Sequence, residues 1–166
     1  MLLTSSKANK LLSKLTLELN TILRQEDNAR YFTAAIEEDI ESVRPEYDYA
    51  ETRKKQAEIE QKIRALKHAI NVFNSTQVIP EFDMTIDEML VYLPQLNRRL
   101  SRLSGMSDVL PKERMNTSKN FIEYRYANYD VKQAEKDYNE IYSEIQKAQL
   151  ALDKVNTTVE FEVDCL

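Results

Sequence analysis

Side chains that could support catalysis are few in this sequence, and their spacing matches no recognised catalytic motif. His68 is the only histidine, so the chain can form neither a zinc site built on several histidines nor a proton relay between two of them. Cys165 is the only cysteine, which excludes an intrachain disulfide and a CxxC zinc site. Gly105 is the only glycine, and both the Walker loop and the dinucleotide fingerprint require more than one. We therefore predict no catalytic residue, no metal, no cofactor and no enzymatic activity, and we expect His68 to be solvated.

Charged side chains form two clusters of opposite sign. The acidic cluster precedes the second predicted helix and comprises Glu37, Glu38, Asp39, Glu41, Glu46 and Asp48. The basic cluster covers the segment 98–119 and comprises Arg98, Arg99, Arg102, Lys112, Arg114 and Lys119. Such a density of carboxylates is typical of a solvated face, although a divalent cation there stays open. The simplest interpretation pairs the two clusters within one chain or between subunits. The alternative is that the basic cluster binds phosphate or nucleic acid, with nearby aromatic rings stacking on bases.

Tyrosine is unusually frequent, with nine residues in the chain. The main groups are Tyr47 and Tyr49, then Tyr124, Tyr126 and Tyr129, then Tyr138 and Tyr142. Tyrosine combines a large apolar face with a polar tip, which suits a core layer or an oligomer interface. A second alternative function is a ligand-binding or enzymatic pocket of carboxylates and tyrosines. That alternative requires the acidic and tyrosine-rich segments to lie together in the fold.

Length and composition favour a single helical domain spanning 1–166. The chain has 166 residues, a net charge of −5 and 31% charged residues, which gives no global electrostatic attraction to nucleic acid or to an anionic membrane. No apolar stretch approaches the ~20 residues of a membrane span, and the apolar N-terminal stretch is too short for a signal-peptide core. We therefore expect a cytoplasmic protein that binds no membrane, and we regard nucleic acid as the less favoured partner.

Four long helices follow from apolar residues spaced three and four apart. Their predicted bounds are about 6–29, 49–73, 86–104 and 131–156. The last helix has the most regular apolar seam, which is typical of a coiled coil. We expect a self-association surface on this seam, formed by Val131, Tyr138, Ile141, Ile145 and Leu152. The spacing of a capping box marks the start of three helices, at Asp48 with Glu51, Thr85 with Glu88 and Asp130 with Gln133.

Two residues of the third helix predict local departures from a straight rod. Gly105 follows the predicted end of the helix, where a glycine in the left-handed conformation commonly forms the C-terminal cap. Pro94 lies inside the helix, where it removes a backbone donor and its ring clashes with the carbonyl group of Leu90. We therefore predict a left-handed cap at Gly105 and a kink near 90–94.

Three short segments are predicted to be strands, at about 31–36, 121–127 and 158–163. In the second, Tyr124 and Tyr126 alternate with charged residues, which is typical of a half-buried strand. The first segment could pair with the second, but 31–44 remains open among strand, helix and loop. The predicted fold is therefore mainly α: antiparallel long-helix hairpins or a coiled-coil bundle of about four helices, with a small two- or three-stranded β element at one end.

Several segments together resemble a known family. They are 71–76, 85–90, 121–124 with 129–131, and 156–160. Their order and composition resemble an uncharacterised bacterial family of small helical proteins, some of whose members are labelled septicolysin. Thr157 stands where that family commonly has an aromatic residue. The resemblance covers most of 5–160 and implies a self-associating helical hairpin or bundle with no established activity. The label implies pore formation, which the lack of an obvious membrane-inserting segment disfavours.

The leading functional hypothesis from the sequence is a non-enzymatic coiled-coil protein that acts by self-assembly or by binding a protein partner. We expect a homo-oligomer. This hypothesis depends on the regular seams and caps, which predict extended surfaces, whereas the residues that catalysis usually needs are scarce.

Overall fold

The computed structural model describes residues 1–115 and 121–164, and the chain is mainly helical, as the sequence predicts. In chain order the elements are β1 (Leu2–Thr4), α1 (Ser5–Ala29), α2 (Ile40–Val43), α3 (Tyr49–Thr76), β2 (Val78–Ile79), β3 (Met84–Thr85), α4 (Ile86–Ser107), β4 (Lys112–Met115), β5 (Glu123–Tyr126), α5 (Val131–Thr158) and β6 (Glu160–Glu162). The four long helices lie within three residues of their predicted bounds. Among the described residues, no helix is both long enough and apolar enough to cross a membrane.

Side-chain caps fix the starts of the long helices. At α4 the Thr85 hydroxyl accepts a hydrogen bond from the backbone N–H of Glu88, whose carboxylate in turn accepts one from the Thr85 backbone, which completes the predicted capping box. At α5 the Asp130 carboxylate accepts from the backbone N–H of Gln133 at 3.3 Å. The Gln133 side chain does not complete the box, because it donates to Asp137 at 2.6 Å.

Within residues 1–115 and 121–164 the strands form three separate antiparallel pairs, β1 with β6, β2 with β3 and β4 with β5. The predicted strands at 121–127 and 158–163 contain β5 and β6 and are confirmed. The expectation that the strands join in one small β element is wrong, because each pairs with a strand that the sequence pattern did not indicate. In the first pair, Leu3 lies opposite Phe161.

No strand forms at 31–36, where the described chain has an irregular segment followed by the single turn of α2. A turn closes this segment, because the backbone N–H of Glu38 donates to the Ala35 carbonyl at 3.1 Å. The Glu38 carboxylate accepts from the Ala35 N–H, also at 3.1 Å. The partner expected for a strand here, β5, pairs instead with β4. Fewer residues separate β4 from β5, so closing that loop costs less entropy.

Gly105 lies inside α4, which continues to Ser107, and its φ is not positive. The predicted left-handed cap is therefore wrong. The helical pattern tolerates the glycine because an internal glycine costs only about 0.5–1 kcal/mol relative to alanine. The left-handed conformation occurs instead at Asp83, with φ of 50°, in the turn between β2 and β3. Aspartate adopts this conformation more readily than most residues.

The chain divides into two compact units. Unit 1 comprises Met1–Asn74 and Asn156–Leu166, and unit 2 comprises Ser75–Val155. The core of unit 1 is formed by Leu3, Ala8, Leu15, Ile59, Leu66, Ile70 and Val163, and the Phe73 and Phe161 rings stack in the same unit at 4.4 Å. In unit 2 the buried apolar side chains include Ile79, Ile86, Met89, Leu96, Ile145, Leu152 and Val155. The expectation of one domain spanning 1–166 stays a prediction.

Candidate functional site

The predicted seam of α5 is largely covered within the single chain. Ile145 and Leu152 are buried, whereas Val131, Tyr138 and Ile141 are half-buried. The neighbouring Glu144 accepts a hydrogen bond from the Tyr92 hydroxyl, which joins α4 to α5. The same hydrogen bond raises the pKa of Tyr92, so the hydroxyl stays protonated as a donor. The two buried seam positions are therefore not available to a second chain, whereas self-association through the rest of the seam stays a prediction.

The β4–β5 hairpin places cations and aromatic rings on one face. Lys112 lies opposite Tyr126, and Arg114 lies opposite Tyr124. Directly opposed residues of an antiparallel pair share a face. The Lys112 Nζ atom is 4.2 Å from the Tyr124 ring centroid and 5.4 Å from that of Tyr126, both within the range of a cation–π interaction. We call this surface, formed by Lys112, Arg114, Tyr124 and Tyr126, the cationic face.

The opposite face of the hairpin carries two carboxylates and one guanidinium, a net charge of −1. Glu113 lies opposite Arg125, and their side chains form an ion pair at 2.5 Å. The remaining pair on this side is Met115 with Glu123. Because side chains alternate between the two faces of a strand, both carboxylates of these strands lie away from the cationic face. The hairpin therefore separates its charges, with two positive charges and no carboxylate on the cationic face.

An open apolar pocket lies at the base of the hairpin. It has a volume of about 320 Å³ and is lined by Val109, Leu110, Arg125, Tyr126, Ala127, Asn128 and Tyr129. The Tyr129 hydroxyl donates to the Met106 carbonyl at 2.9 Å, which ties this side of the pocket to the last turn of α4. We call this cavity the base pocket. It adjoins the cationic face, because Tyr126 belongs to both.

The predicted basic cluster is distributed over two elements. Arg98, Arg99 and Arg102 are exposed on α4, while Lys112 and Arg114 are exposed on β4. Within the ranges 1–115 and 121–164, no hydrogen bond or ion pair joins the three arginines to the two residues of β4. Lys119 lies outside the described residues. The structure thus brings together Lys112 and Arg114 with the tyrosines that the sequence indicated as stacking partners.

The acidic cluster forms an exposed loop in unit 1. We define the acidic loop as residues 31–44; its four carboxylates and one guanidinium give it a net charge of −3. The Asp39 carboxylate caps α2 by accepting from the Glu41 N–H at 3.3 Å, and Arg44 pairs with Glu41 at 2.8 Å. At its tip Ile36 is fully exposed, with 104% of its reference area. No group of three or more potential metal ligands is found in the part of the chain that the structure describes.

One tyrosine does lie among carboxylates, in a cavity of about 280 Å³ in unit 1. The Tyr47 hydroxyl donates to Glu26 at 2.5 Å, and Arg53 also donates to Glu26. The hydrogen bond from Tyr47 is the main reason why the pKa of Glu26 is lowered, and it raises the pKa of Tyr47. Since Glu26 belongs to α1 and Arg53 to α3, the network joins these helices. The other tyrosine groups from Tyr124 onwards belong to unit 2.

A wide groove of about 860 Å³ lies along the first half of α5 beside Phe82. Its lining carries both signs of charge. Lys136 pairs with Glu140 at 3.8 Å, and Glu81 pairs with Lys154 at 3.1 Å. The pKa of Glu81 is lowered mainly by a backbone hydrogen bond, and the hydrogen bond from Lys154 lowers it further. The only histidine, His68, is exposed on α3, as predicted. The groove is therefore a surface of mixed charge with one ion pair, Lys136 with Glu140, inside its lining.

Three features of these surfaces were not predicted from the sequence. The strand β4 was not among the predicted strands, because three of its four residues are charged and show no alternation of apolar with polar side chains. The exposed Ile36 was assigned to a strand, although the four carboxylates that follow it within five residues indicated a solvated loop. The base pocket had no signal in the sequence, because its lining comes from both sides of the hairpin.

Comparison with known proteins gives a likeness of fold and no family. No family model and no curated protein matches the chain. Among solved structures, the crystal structure of a functionally unknown conserved protein from Corynebacterium diphtheriae is similar, with a TM-score of 0.59 and 17% sequence identity. The similarity covers 98% of this chain and 100% of that one. At this level of identity the likeness shows the fold alone.

Proposed function

We propose that this protein is non-enzymatic and acts by self-assembly, with the β4–β5 hairpin and the base pocket as the assembly surface. The observation that carries the proposal is a concentration of exposed large apolar and aromatic side chains between positions 110 and 129. They are Leu110, Met115, Phe121, Ile122, Tyr124, Tyr126 and Tyr129. Exposed apolar side chains concentrated in one part of a fold favour an interaction site, because association removes their apolar surface from water.

The hairpin contains several of the residue types that interfaces favour, namely Tyr124, Tyr126, Met115, Arg114 and Arg125. Tyrosine, methionine and arginine are enriched at interfaces, and tyrosine and arginine dominate the residues that contribute most to binding. Among the described residues β4 and β5 pair only with each other, so each strand keeps one unpaired edge. Such an edge can accept a further strand. Both the side chains and the backbone of the hairpin therefore favour association with another chain.

Sedimentation velocity over a concentration range of roughly 1 to 100 μM, which brackets micromolar association, tests this proposal. We expect the mass of the wild-type protein to exceed that of the monomer and to rise with concentration. The variant Tyr124→Ser with Tyr126→Ser should shift to the monomer with an unchanged helical circular dichroism spectrum. The matched control is Tyr142→Ser, because Tyr142 is exposed to 50%, as Tyr124 is to 46%, but lies on α5.

Two results would contradict the proposal. One is a wild-type protein that stays monomeric at every concentration. The other is a hairpin variant that assembles as strongly as the wild type while the Tyr142→Ser control behaves identically. Either result would remove the hairpin as the assembly surface.

A second candidate function, binding of phosphate or nucleic acid, is favoured by one specific observation. Arg98, Arg99 and Arg102 are exposed on α4 and form no ion pair with any described residue. A labelled single-stranded oligonucleotide should then bind at low salt, and changing the three arginines to glutamine should weaken binding and lower the salt dependence. The matched control changes three exposed lysines of unit 1 to glutamine, Lys10, Lys14 and Lys67. Equal binding by both variants would refute this candidate.

A further inference from the structure

The acidic loop presents one apolar side chain on a preformed turn. Two hydrogen bonds of 3.1 Å between Ala35 and Glu38 close the turn, and Ile36 projects from it without cover. A loop that is already ordered loses less conformational entropy when it binds than a flexible one. Ile40, on the following turn of α2, is also exposed. The loop therefore has the form of an apolar anchor surrounded by carboxylates.

The acidic loop and the cationic face are complementary in charge. The loop has a net charge of −3, whereas the cationic face carries Lys112 and Arg114 without a carboxylate. A contact between two hairpins through this face would bring like charges together, which is strongly unfavourable at an interface. A contact between two acidic loops would do the same. Charge therefore favours an interface in which one loop meets one hairpin.

The base pocket supplies the apolar half of the match. Its volume of about 320 Å³ is at the lower end of the range for binding pockets, about 300 Å³ and above. A pocket of this volume can hold one branched aliphatic side chain together with part of the adjoining backbone. Tyr126 belongs both to this pocket and to the cationic face, so an anchor in the pocket would place flanking carboxylates near Lys112.

Resting on the self-assembly proposed above, we infer that the hairpin binds the acidic loop of a second copy of this chain, with Ile36 in the base pocket and the carboxylates of the loop beside Lys112 and Arg114. The two surfaces of this interface differ. Each copy therefore keeps one free loop or one free hairpin after the first contact. A head-to-tail interface of this kind produces closed rings or open chains of subunits.

Two variants and their mixture test this inference by sedimentation velocity. The loop variant carries Ile36→Ser with Glu37→Lys, and the hairpin variant carries Lys112→Glu with Arg114→Glu. All four positions are exposed, and circular dichroism verifies that each variant keeps its helices. If the loop variant loses helical signal, Ile36→Ser alone replaces it. If the hairpin variant does, Lys112→Ala alone replaces it. The matched control carries Leu17→Ser with Glu18→Lys, because both residues are exposed on α1 and repeat the same changes in residue type.

Each variant alone is expected to raise the dissociation constant at least about tenfold, the effect of removing a major interface contact. An equimolar mixture should give a heterodimer and nothing larger, because only one intact loop and one intact hairpin remain. The control should assemble like the wild type. The inference is overturned if either variant assembles like the wild type, or if the mixture stays monomeric while the wild type assembles. A monomeric wild type would instead refute the proposed self-assembly itself.

Discussion

Replacing Ile36 with serine isolates the apolar contribution to assembly from folding stability. The side chain is fully exposed in the chain, so its removal should change the free energy of unfolding by no more than about 0.5 kcal/mol. In the assembly the same side chain is buried in the base pocket. Full burial of an isoleucine contributes about 1.5–3 kcal/mol. At 1.4 kcal/mol for each tenfold change, the dissociation constant should rise roughly 10- to 150-fold.

Two measurements on the same samples separate these effects. Dilution of fluorescently labelled protein, followed by sedimentation, gives the dissociation constant, and urea unfolding gives the stability. Leu17→Ser is the control, because Leu17 is also an exposed aliphatic residue of unit 1, at 67%, but lies on α1. An unchanged dissociation constant in Ile36→Ser would refute burial of Ile36 in the assembly. Burial of Ile36 is equally refuted if Leu17→Ser weakens assembly as much.

The fold makes three further predictions. Gly105→Ala should stabilise the protein by about 0.5–1 kcal/mol in urea unfolding, because Gly105 is helical and an added Cβ meets no atom within 4 Å; a loss of stability would contradict its helical conformation. Leu66→Ala should destabilise by about 2–5 kcal/mol in the same assay, since Leu66 is 0% exposed, and a change below 1 kcal/mol would contradict its place in the core. The pKa of Glu26 lies below its ordinary value of 4.5, so its stabilising effect is complete above that pH and is lost as pH falls through the lowered pKa. Between pH 7 and pH 3 the free energy of unfolding should therefore fall less in Glu26→Gln than in the wild type. Identical pH profiles would exclude a stabilising role of the Glu26 carboxylate.

The four long helices were predictable because their signals are local. Apolar spacing sets each helical face, and polar residues such as Thr85 and Asp130 mark the starts. Gly105 was misplaced because a glycine near a helix end is compatible with both a cap and an internal position. A glycine inside a helix costs little free energy, so the helix-forming residues around Gly105 determine that α4 continues through it.

The strand pairs and the candidate interface were harder to predict from the sequence, because they depend on contacts between residues that are far apart in the chain. The β1 strand is three residues long and pairs with β6 at the other end of the sequence, so no local pattern could identify the pairing. The cationic face requires the register that sets Lys112 opposite Tyr126. Sequence reasoning did identify its cations and tyrosines, but it placed self-association on the α5 seam, where Ile145 and Leu152 are buried within the chain.

The most direct test of the proposed function is the sedimentation mass of the wild-type chain beside that of Tyr124→Ser with Tyr126→Ser at equal concentration. We expect an assembly that grows with concentration for the wild type and a folded monomer for the hairpin variant. A monomeric wild type, or a hairpin variant with the same mass distribution as the wild type, would contradict self-assembly through the β4–β5 hairpin.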